Sequence, residues 1–306
     1  MSTPPKLAYE PKEWEDVPCP FCGSRDRRLH ERFGWRLRFT WVECLACGLI
    51  YQSPRPRYDG EFVQAAYGDY VSLADEAGAS DARKRRWLAG LQPVVDEMLT
   101  FDTRRTALLD VGSAVGHFLR VAKPHWKKAM GVDVSDRMRA FVEREVGVKV
   151  LGEPFETLST GERFSCIHMS HVIEHVPNPS AWLHKAHELL EEDGVLVIAV
   201  PNIRSLGERI KLFLKNVGLR RGEWSSPAKT PDHLFEPPIP VLLRFIESHG
   251  FDVVSYYTYS RTDETSRRPF NRLYRRRLLL GSNTRVYARP RRDRPGSADA
   301  SSSGRP

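Results

Sequence analysis

The chain has 306 residues, with 47 basic and 39 acidic side chains, a net charge of +8 and five cysteines. That length can bury one large core with a small satellite, and the charge excess tolerates an anionic partner without requiring one. No apolar run approaches the ~18 residues of a membrane span and no charged-then-apolar segment opens the chain, so a cytoplasmic protein without a membrane span is expected.

Four cysteines fall in two C-x-x-C-G turns, Cys19 and Cys22 before Gly23, then Cys44 and Cys47 before Gly48; Cys166 stands alone. Each turn sets two sulfurs on one side of a tight loop, and two such turns supply the tetrahedral set that zinc takes. All four positions are cysteine, so no coordination site stays open and the ion is expected to be structural. A redox dithiol fits less well, because neither pair stands at a helix start; nothing further supports an iron–sulfur cluster. Arg25, Arg27, Arg28, Arg32, Arg36 and Arg38 give this module a basic, aromatic-interleaved face. One reading is a nucleic-acid surface. The favoured one makes Phe33, Trp35, Phe39 and Trp41 the core and docking surface, with the arginines as the solvated side. Pro54 and Pro56 end the module, and Phe62, Tyr67 and Tyr70 begin a linker that packs on the main domain. Over 81–101, Trp87, Leu88, Leu91, Val94, Val95 and Met98 recur at helical spacing and predict a leading helix.

From Thr106, strand-like and helix-like segments alternate, which predicts an α/β fold: a mostly parallel sheet with helices on both faces. The expected strands are 107–111, 129–134, 148–152, 164–169, 195–200 and 251–260, with helices at 116–123, 136–145, 179–191 and 238–249. Ligands in such sheets sit beyond the carboxyl ends of the strands. There, Gly112 to Gly116 form a tight turn leading into a helix, a geometry that brings backbone N–H groups close to a ligand. Asp133 ends the second strand about 20 residues later, where an acid accepts hydrogen bonds from ribose hydroxyls. Nicotinamide dinucleotides and S-adenosylmethionine both carry that ribose. Asp110 tilts the choice, since a carboxylate near the loop repels a pyrophosphate and suits an ammonium or sulfonium ligand.

The segments LLDVGSAVGHF, GVDVS and HMSHVIEHVPNPSAWLHKAHELLEEDGVLVIAVPN resemble the class I S-adenosylmethionine-dependent methyltransferases, in particular those with an EHV-x-(D/N)-P segment after the fourth strand. The resemblance covers about residues 85–260. CPFCGS with CLACGLIYQSPRP is similar to the zinc-ribbon-like module often fused ahead of such domains. The resemblance implies a Rossmann-like sheet and a cofactor-binding set of Asp110, Gly112, Ser113, Ala114, Gly116, His117, Phe118, Asp133, Val134, Pro154, Phe155 and Ser170. In it the loop residues lie under the amino-acid part of the cofactor, Asp133 holds the ribose, residues near Glu153 to Phe155 flank the adenine, and Ser170 and His171 border the transfer site. His117 is equally readable as a surface helix position. Two departures stand out: the middle glycine of the family's D-x-G-x-G-x-G loop is Ala114, and a family-typical aspartate is Ser165.

Three histidines are candidates for the base that takes a proton from the methyl acceptor: His171, His175 and His233. His171, Glu174 and His175 sit in SHVIEHV at spacings that suit one helical face, and the same triplet could hold a divalent ion; the EH pair alone also suits a supporting role. His233 enters from PDHLFEPP, which resembles the family's HL-x-x-F-(S/P)-P stretch, with Phe235 as packing. His184, His187 and His249 read as helix residues without a chemical part, and Met169 and Trp182 as core.

The insertion at 203–230 is amphipathic in its first half, through Leu206, Ile210, Phe213, Leu214 and Val217, and Gly/Ser/Pro-rich in its second. It reads as a substrate lid, whose Lys211, Lys215, Arg220 and Arg221 would suit an acidic acceptor or be ordinary solvated charges. The arginine-dense stretch after Arg261 reads as a helix and closing strand ending at VYARP (286–290), with a membrane-surface or nucleic-acid patch formed by Arg275 to Arg277 and Leu278 to Leu280 as the competing account. The expected organisation is a four-cysteine module over 1–58, leading helices over 59–105, the methyltransferase domain over 106–292 and a disordered tail over 293–306. The expected activity is methyl transfer from S-adenosylmethionine to a small-molecule acceptor, with oxygen favoured over nitrogen or carbon, in secondary-metabolite or sugar tailoring. An RNA-modifying or RNA-binding protein is the alternative from another class.

Overall fold

The computed structural model describes residues 11–33, 38–67, 81–219, 233–260 and 278–291. Trp35, Arg36, Tyr70, Arg220, Arg221, the insertion beyond them to 230, Arg275 to Arg277 and the tail at 293–306 lie outside the described residues, as do the side chains of Phe33, Tyr67, Trp87 and Lys215.

The first sheet begins with β2 (Arg27–Phe33), β3 (Phe39–Cys44) and β4 (Ile50–Gln52), paired antiparallel, while β1 (Trp14–Glu15) pairs with β5 (Arg55–Pro56). Two of the arginines on this face are tied to acids: Arg27 to Asp16 at 2.6 Å and Arg28 to Glu43 at 2.7 Å. Among the described residues, α1 (Gly60–Tyr67) and α2 (Asp81–Phe101) follow. Phe62 is fully buried in the main core, as the linker reading anticipated.

The second sheet has seven strands. β6 (Ala107–Val111) lies between β7 (Lys128–Val132) and β9 (Phe164–Ser170), with β8 (Val150–Leu151) beyond β7 and β10 (Leu190–Pro201) beyond β9, all parallel. Past β10 lies β13 (Asn283–Pro290), antiparallel to both β10 and the edge strand β12 (Phe251–Tyr259). The sheet is therefore mixed, with one reversed strand. Continuous apolar runs suit strands covered on both faces. Side-chain alternation sends Leu109 and Ile167 to one core, with Leu183 and Ala186 of α5 (Pro179–Leu189) and Leu242, Phe245 and Ile246 of α7 (Ile239–Ser248). Leu108 and Cys166 face the other, with Val94, Val95 and Met98 of α2 and Phe118 of α3 (His117–Ala122).

Local chemistry fixes the helix ends. Ser135 caps α4 (Asp136–Val146) by accepting from Met138 N–H, and Asn178 caps α5 by accepting from Ala181 N–H at 3.1 Å with Pro179 in its first turn. α5 ends at Leu189, short of the expected 191, and β10 begins at Leu190 rather than 195, with a register break between Leu190 and Val195. Ser165, at the family's aspartate position, is structural: its hydroxyl donates to Asp102 at 2.7 Å, and Asp102 also accepts from Trp126 Nε1 at 2.6 Å.

The two sheets are joined through the chain's own hydrogen bonds. β11 (Phe235–Glu236) pairs antiparallel with β4 and becomes the fourth strand of the first sheet. Gln52 N–H donates to Leu234 O at 2.9 Å, and Leu234 N–H donates to Glu174 O at 2.8 Å. Phe21 stacks on Phe245 with ring centroids 3.6 Å apart, and Leu49 and Tyr51 are fully buried in the core shared with the second sheet. Phe39 and Trp41 form a small cluster with Ile50 and Ile203. Docking thus runs mainly through Phe21, Leu49, Tyr51 and β11, with Phe39 and Trp41 in a satellite cluster. No helix among the described residues is long and apolar enough to cross a membrane.

Candidate functional site

β6 delivers the chain to the loop Gly112–Gly116 at the carboxyl edge of the sheet. Gly112, Ala114 and Gly116 all have positive φ, at 74°, 46° and 73°. A Cβ at Gly112 would lie 2.4 Å from Val172 Cγ2, so this glycine is required both by backbone conformation and by the close approach of the segment after β9. Ala114 takes the left-handed conformation despite its side chain. Its N–H donates to Asp133 Oδ2 at 2.9 Å, while Ser135 N–H donates to Asp133 Oδ1 at 2.9 Å. Asp133 therefore sits just past β7 as a half-buried anion holding the loop from the neighbouring strand, with Val134 exposed beside it. Ser113 Oγ is buried without a hydrogen-bond partner. His117 opens α3, and the Phe118 ring stacks on His168 at 3.9 Å.

Asp110 is only 4 % exposed, and its Oδ1 lies 2.8 Å from His168 Nδ1 on the adjacent strand. Burial pushes its carboxyl above the usual carboxylate range, and the hydrogen bond from His168 pulls it partly back. Pro154 is exposed, whereas Phe155 is buried against Trp182 with centroids 5.1 Å apart.

Beyond Ser170 the single-helical-face reading of His171, Glu174 and His175 is corrected. His171 has φ 55° and Val172 φ −131°, so a helix cannot run through them; only Ile173–His175 form a 3₁₀ turn. The bend still brings His171 back onto Glu174, with Nδ1 3.2 Å from Oε1, and sets Nε2 3.3 Å from the Tyr259 hydroxyl. The His171 side chain is 36 % exposed, while that of Glu174 is 0 % exposed. Burial pushes the Glu174 carboxyl up, but the hydrogen bond from His171 and the charges of His175 and His233 outweigh it and hold it below its usual range. His175 and His233 meet edge to face at 4.8 Å, and His233 Nδ1 lies 2.7 Å from Glu236 Oε1. All three candidate histidines thus converge on one buried carboxylate. Behind them, Arg285 is buried with its guanidinium 4.4 Å over the Tyr259 ring and 2.8 Å from the Tyr257 hydroxyl, which donates in turn to Glu97.

A glycine loop after the first strand, an acid past the second and a polar cluster past the fourth lie along the carboxyl edge of one sheet. A family model described as a methyltransferase domain matches residues 82–256, more than half of the chain. The chain belongs to this methyltransferase family. Its activity is methyl transfer dependent on S-adenosylmethionine. No curated protein matches it. Among solved structures, the methyltransferase is similar to an S-adenosylmethionine-dependent methyltransferase from Clostridium acetobutylicum, at 9% identity over 74% of this chain and 99% of the other, with a TM-score of 0.49. It is also similar to 1,6-didemethyltoxoflavin-N1-methyltransferase from Burkholderia thailandensis, at 14% identity over 87% and 100% of the two chains, TM-score 0.49. A third is magnesium protoporphyrin IX methyltransferase from Synechocystis, at 15% identity over 66% and 84%, TM-score 0.44.

The methyltransferase also carries its four paired cysteines as one cluster. Cys19 and Cys47 Sγ are 3.5 Å apart, as are Cys22 and Cys44 Sγ, and all four sulfurs lie within 4.8 Å of one another. Tetrahedral zinc with Zn–S of about 2.3 Å needs sulfurs ~3.8 Å apart, so the set fits that ion. Cys47 is held down to about 5, first by its hydrogen bond to Cys19, while that bond and burial push Cys19 up. Sequence reasoning missed His168, Glu236, Tyr259 and Arg285. His168, Tyr259 and Arg285 sit on strands that read as packing, and their partners come from other strands.

α6 (Leu206–Asn216) confirms the helical half of the insertion, with Leu206, Ile210 and Phe213 exposed. Lys211 is paired with Glu208 on the same helix.

Proposed function

We propose that the methyltransferase moves the sulfonium methyl of S-adenosylmethionine to an oxygen of a small-molecule acceptor, with His171 as the base. The observation that carries this reading is the His171–Glu174 couple past β9, in packing contact through Val172 with the Gly112 loop. In this reading Gly112, Ser113, Ala114 and Gly116 lie under the amino-acid part of the cofactor, with Asp110 behind the loop and His117 and Phe118 closing it. Asp133 holds the ribose, Val134, Pro154 and Phe155 border the adenine, and Ser170 borders the transferred methyl. The left-handed loop and the buried, unpartnered Ser113 hydroxyl fit a ligand approaching its backbone closely.

With Nδ1–H donated to Glu174, the neutral His171 ring keeps the Nε2 lone pair. The acceptor oxygen attacks the methyl carbon, the C–S bond breaks to leave a neutral thioether, and the acceptor proton passes to Nε2. The chain contributes alignment of the two reactants and removal of that proton. Oxygen is favoured over nitrogen or carbon because a hydroxyl must lose its proton as it attacks, and His171 stands as the group that takes it. The four cysteines hold a structural zinc ion with no open position, which suits a module that docks the β11 segment rather than one that reacts. The amphipathic α6 acts as the helical part of a lid over the acceptor. The pairing of Arg27 and Arg28 with acids favours a small acceptor over a nucleic acid.

A screen coupling candidate acceptors to release of the demethylated cofactor tests the reading. With an acceptor in hand, His171→Ala should lower kcat by about 10²–10⁴ with little change in cofactor affinity. Normal turnover in His171→Ala at neutral pH would exclude it as the base.

A further inference from the structure

Glu174 presents an unresolved polarity. One carboxylate oxygen, Oε1, is engaged by His171, while Oε2 is buried without any hydrogen-bond partner. Leaving such an atom unsatisfied in the interior costs about 1–3 kcal/mol, and more for an ionised group. Two imidazoles, those of His175 and His233, lie close to this carboxylate. Glu174, His175 and His233 each offer one ligand atom, and these atoms lie within 4.8 Å of one another.

We propose that Glu174, His175 and His233 bind one divalent first-row transition-metal ion. The donor set, two imidazole nitrogens and one carboxylate oxygen, is that of zinc, manganese, iron and cobalt sites, and differs in kind from the four thiolates of the N-terminal cluster. Metal–ligand distances of about 2.0–2.2 Å require donors ~3.0–3.6 Å apart, so small side-chain adjustments within the 4.8 Å spread of these atoms bring them to an ion.

The surrounding hydrogen bonds orient the set as a metal site requires. His233 Nδ1 lies 2.7 Å from Glu236 Oε1, the carboxylate–histidine pairing that fixes the tautomer and turns Nε2 toward an ion. His171 Nδ1 likewise lies 3.2 Å from Glu174 Oε1 and orients that carboxylate. The backbone is also fixed: Leu234 N–H donates to Glu174 O, and the adjacent β11 is locked into the first sheet against β4. The ion therefore joins the turn after β9 to the strand that docks the cysteine module. Three protein ligands leave at least one position for water or an acceptor heteroatom. Glu174 is fully buried and His175 nearly so, whereas the His233 side chain is 28 % exposed, which puts the open position on the His233 side.

The site is independent of which acceptor atom is methylated, and its test needs no turnover. The full chain, with its cysteine cluster as purified, is titrated with cobalt(II) and followed by absorption. Thiolate coordination gives a sulfur-to-cobalt charge-transfer band in the near ultraviolet; nitrogen and oxygen ligands do not. The expected result is one equivalent of cobalt bound without that band, weakened at least tenfold in Glu174→Gln and in His233→Ala. Glu236→Gln keeps all three ligands and should lose about 10–100-fold in affinity. It also carries the comparison should His233→Ala fail to fold. Wild-type protein that binds cobalt only through thiolates, or unchanged cobalt affinity in Glu174→Gln and Glu236→Gln, would overturn the assignment.

Discussion

Gly112→Ala tests the join between the glycine loop and the segment after β9. The substitution adds one methyl group at φ 74°, where Val172 Cγ2 lies 2.4 Å from the new atom and Cγ1 3.3 Å. An alanine in the left-handed region costs roughly 1–2 kcal/mol, and displacing a packed valine about 1–3 kcal/mol more. The stiffer unfolded chain returns about 0.4–1 kcal/mol, which leaves a net loss of about 1–5 kcal/mol. The two costs separate in a double-mutant cycle. In Val172→Ala both γ-methyls are gone, and the nearest remaining atom, Val172 Cβ, is 3.5 Å from the new methyl, an ordinary contact. Urea unfolding of the two single variants and the double variant should give a favourable coupling of about 1–3 kcal/mol. Because Val172 lies between His171 and Glu174, Gly112→Ala alone should also reduce turnover. A wild-type urea midpoint for Gly112→Ala, or strictly additive effects of the two substitutions, would refute the steric reasoning.

Ala114→Gly removes a Cβ from a residue at φ 46°, so stability should stay level or rise by up to ~1 kcal/mol in the same urea assay, and a loss larger than that would show the alanine to be needed for packing. Asp133→Ala removes the acceptor of the Ala114 and Ser135 N–H groups and the proposed ribose ligand; cofactor affinity by calorimetry should fall about 10–100-fold, and unchanged affinity would remove Asp133 from that role.

The sheet was legible because parallel strands buried on both faces read as unbroken apolar runs, and five of them carry chemistry or turns at their carboxyl ends. The Gly112–Gly116 turn, Asp133 and the SHVIEHV segment were legible because their residue types are dictated by backbone conformation or charge. What escaped notice depends on pairing between distant segments. His168 looks like any strand residue until β9 is set beside β6 and its ring meets Asp110. Tyr259 and Arg285 acquire meaning only when β12 and β13 fold back past β10. The Phe235–Glu236 strand is too short to carry a pattern of its own, and its place beside β4 is set by hydrogen bonds to a module far away in sequence. The helical-face reading of His171 and Glu174 failed for a local reason, the left-handed turn at His171, although the contact it anticipated is made by another route.

The central claim, that this glycine loop serves an S-adenosylmethionine-dependent methyltransferase, is tested most directly by calorimetric titration of the full chain with S-adenosylmethionine and with its demethylated product. One saturable site per chain is expected for each ligand. No saturable binding of either would contradict the claim.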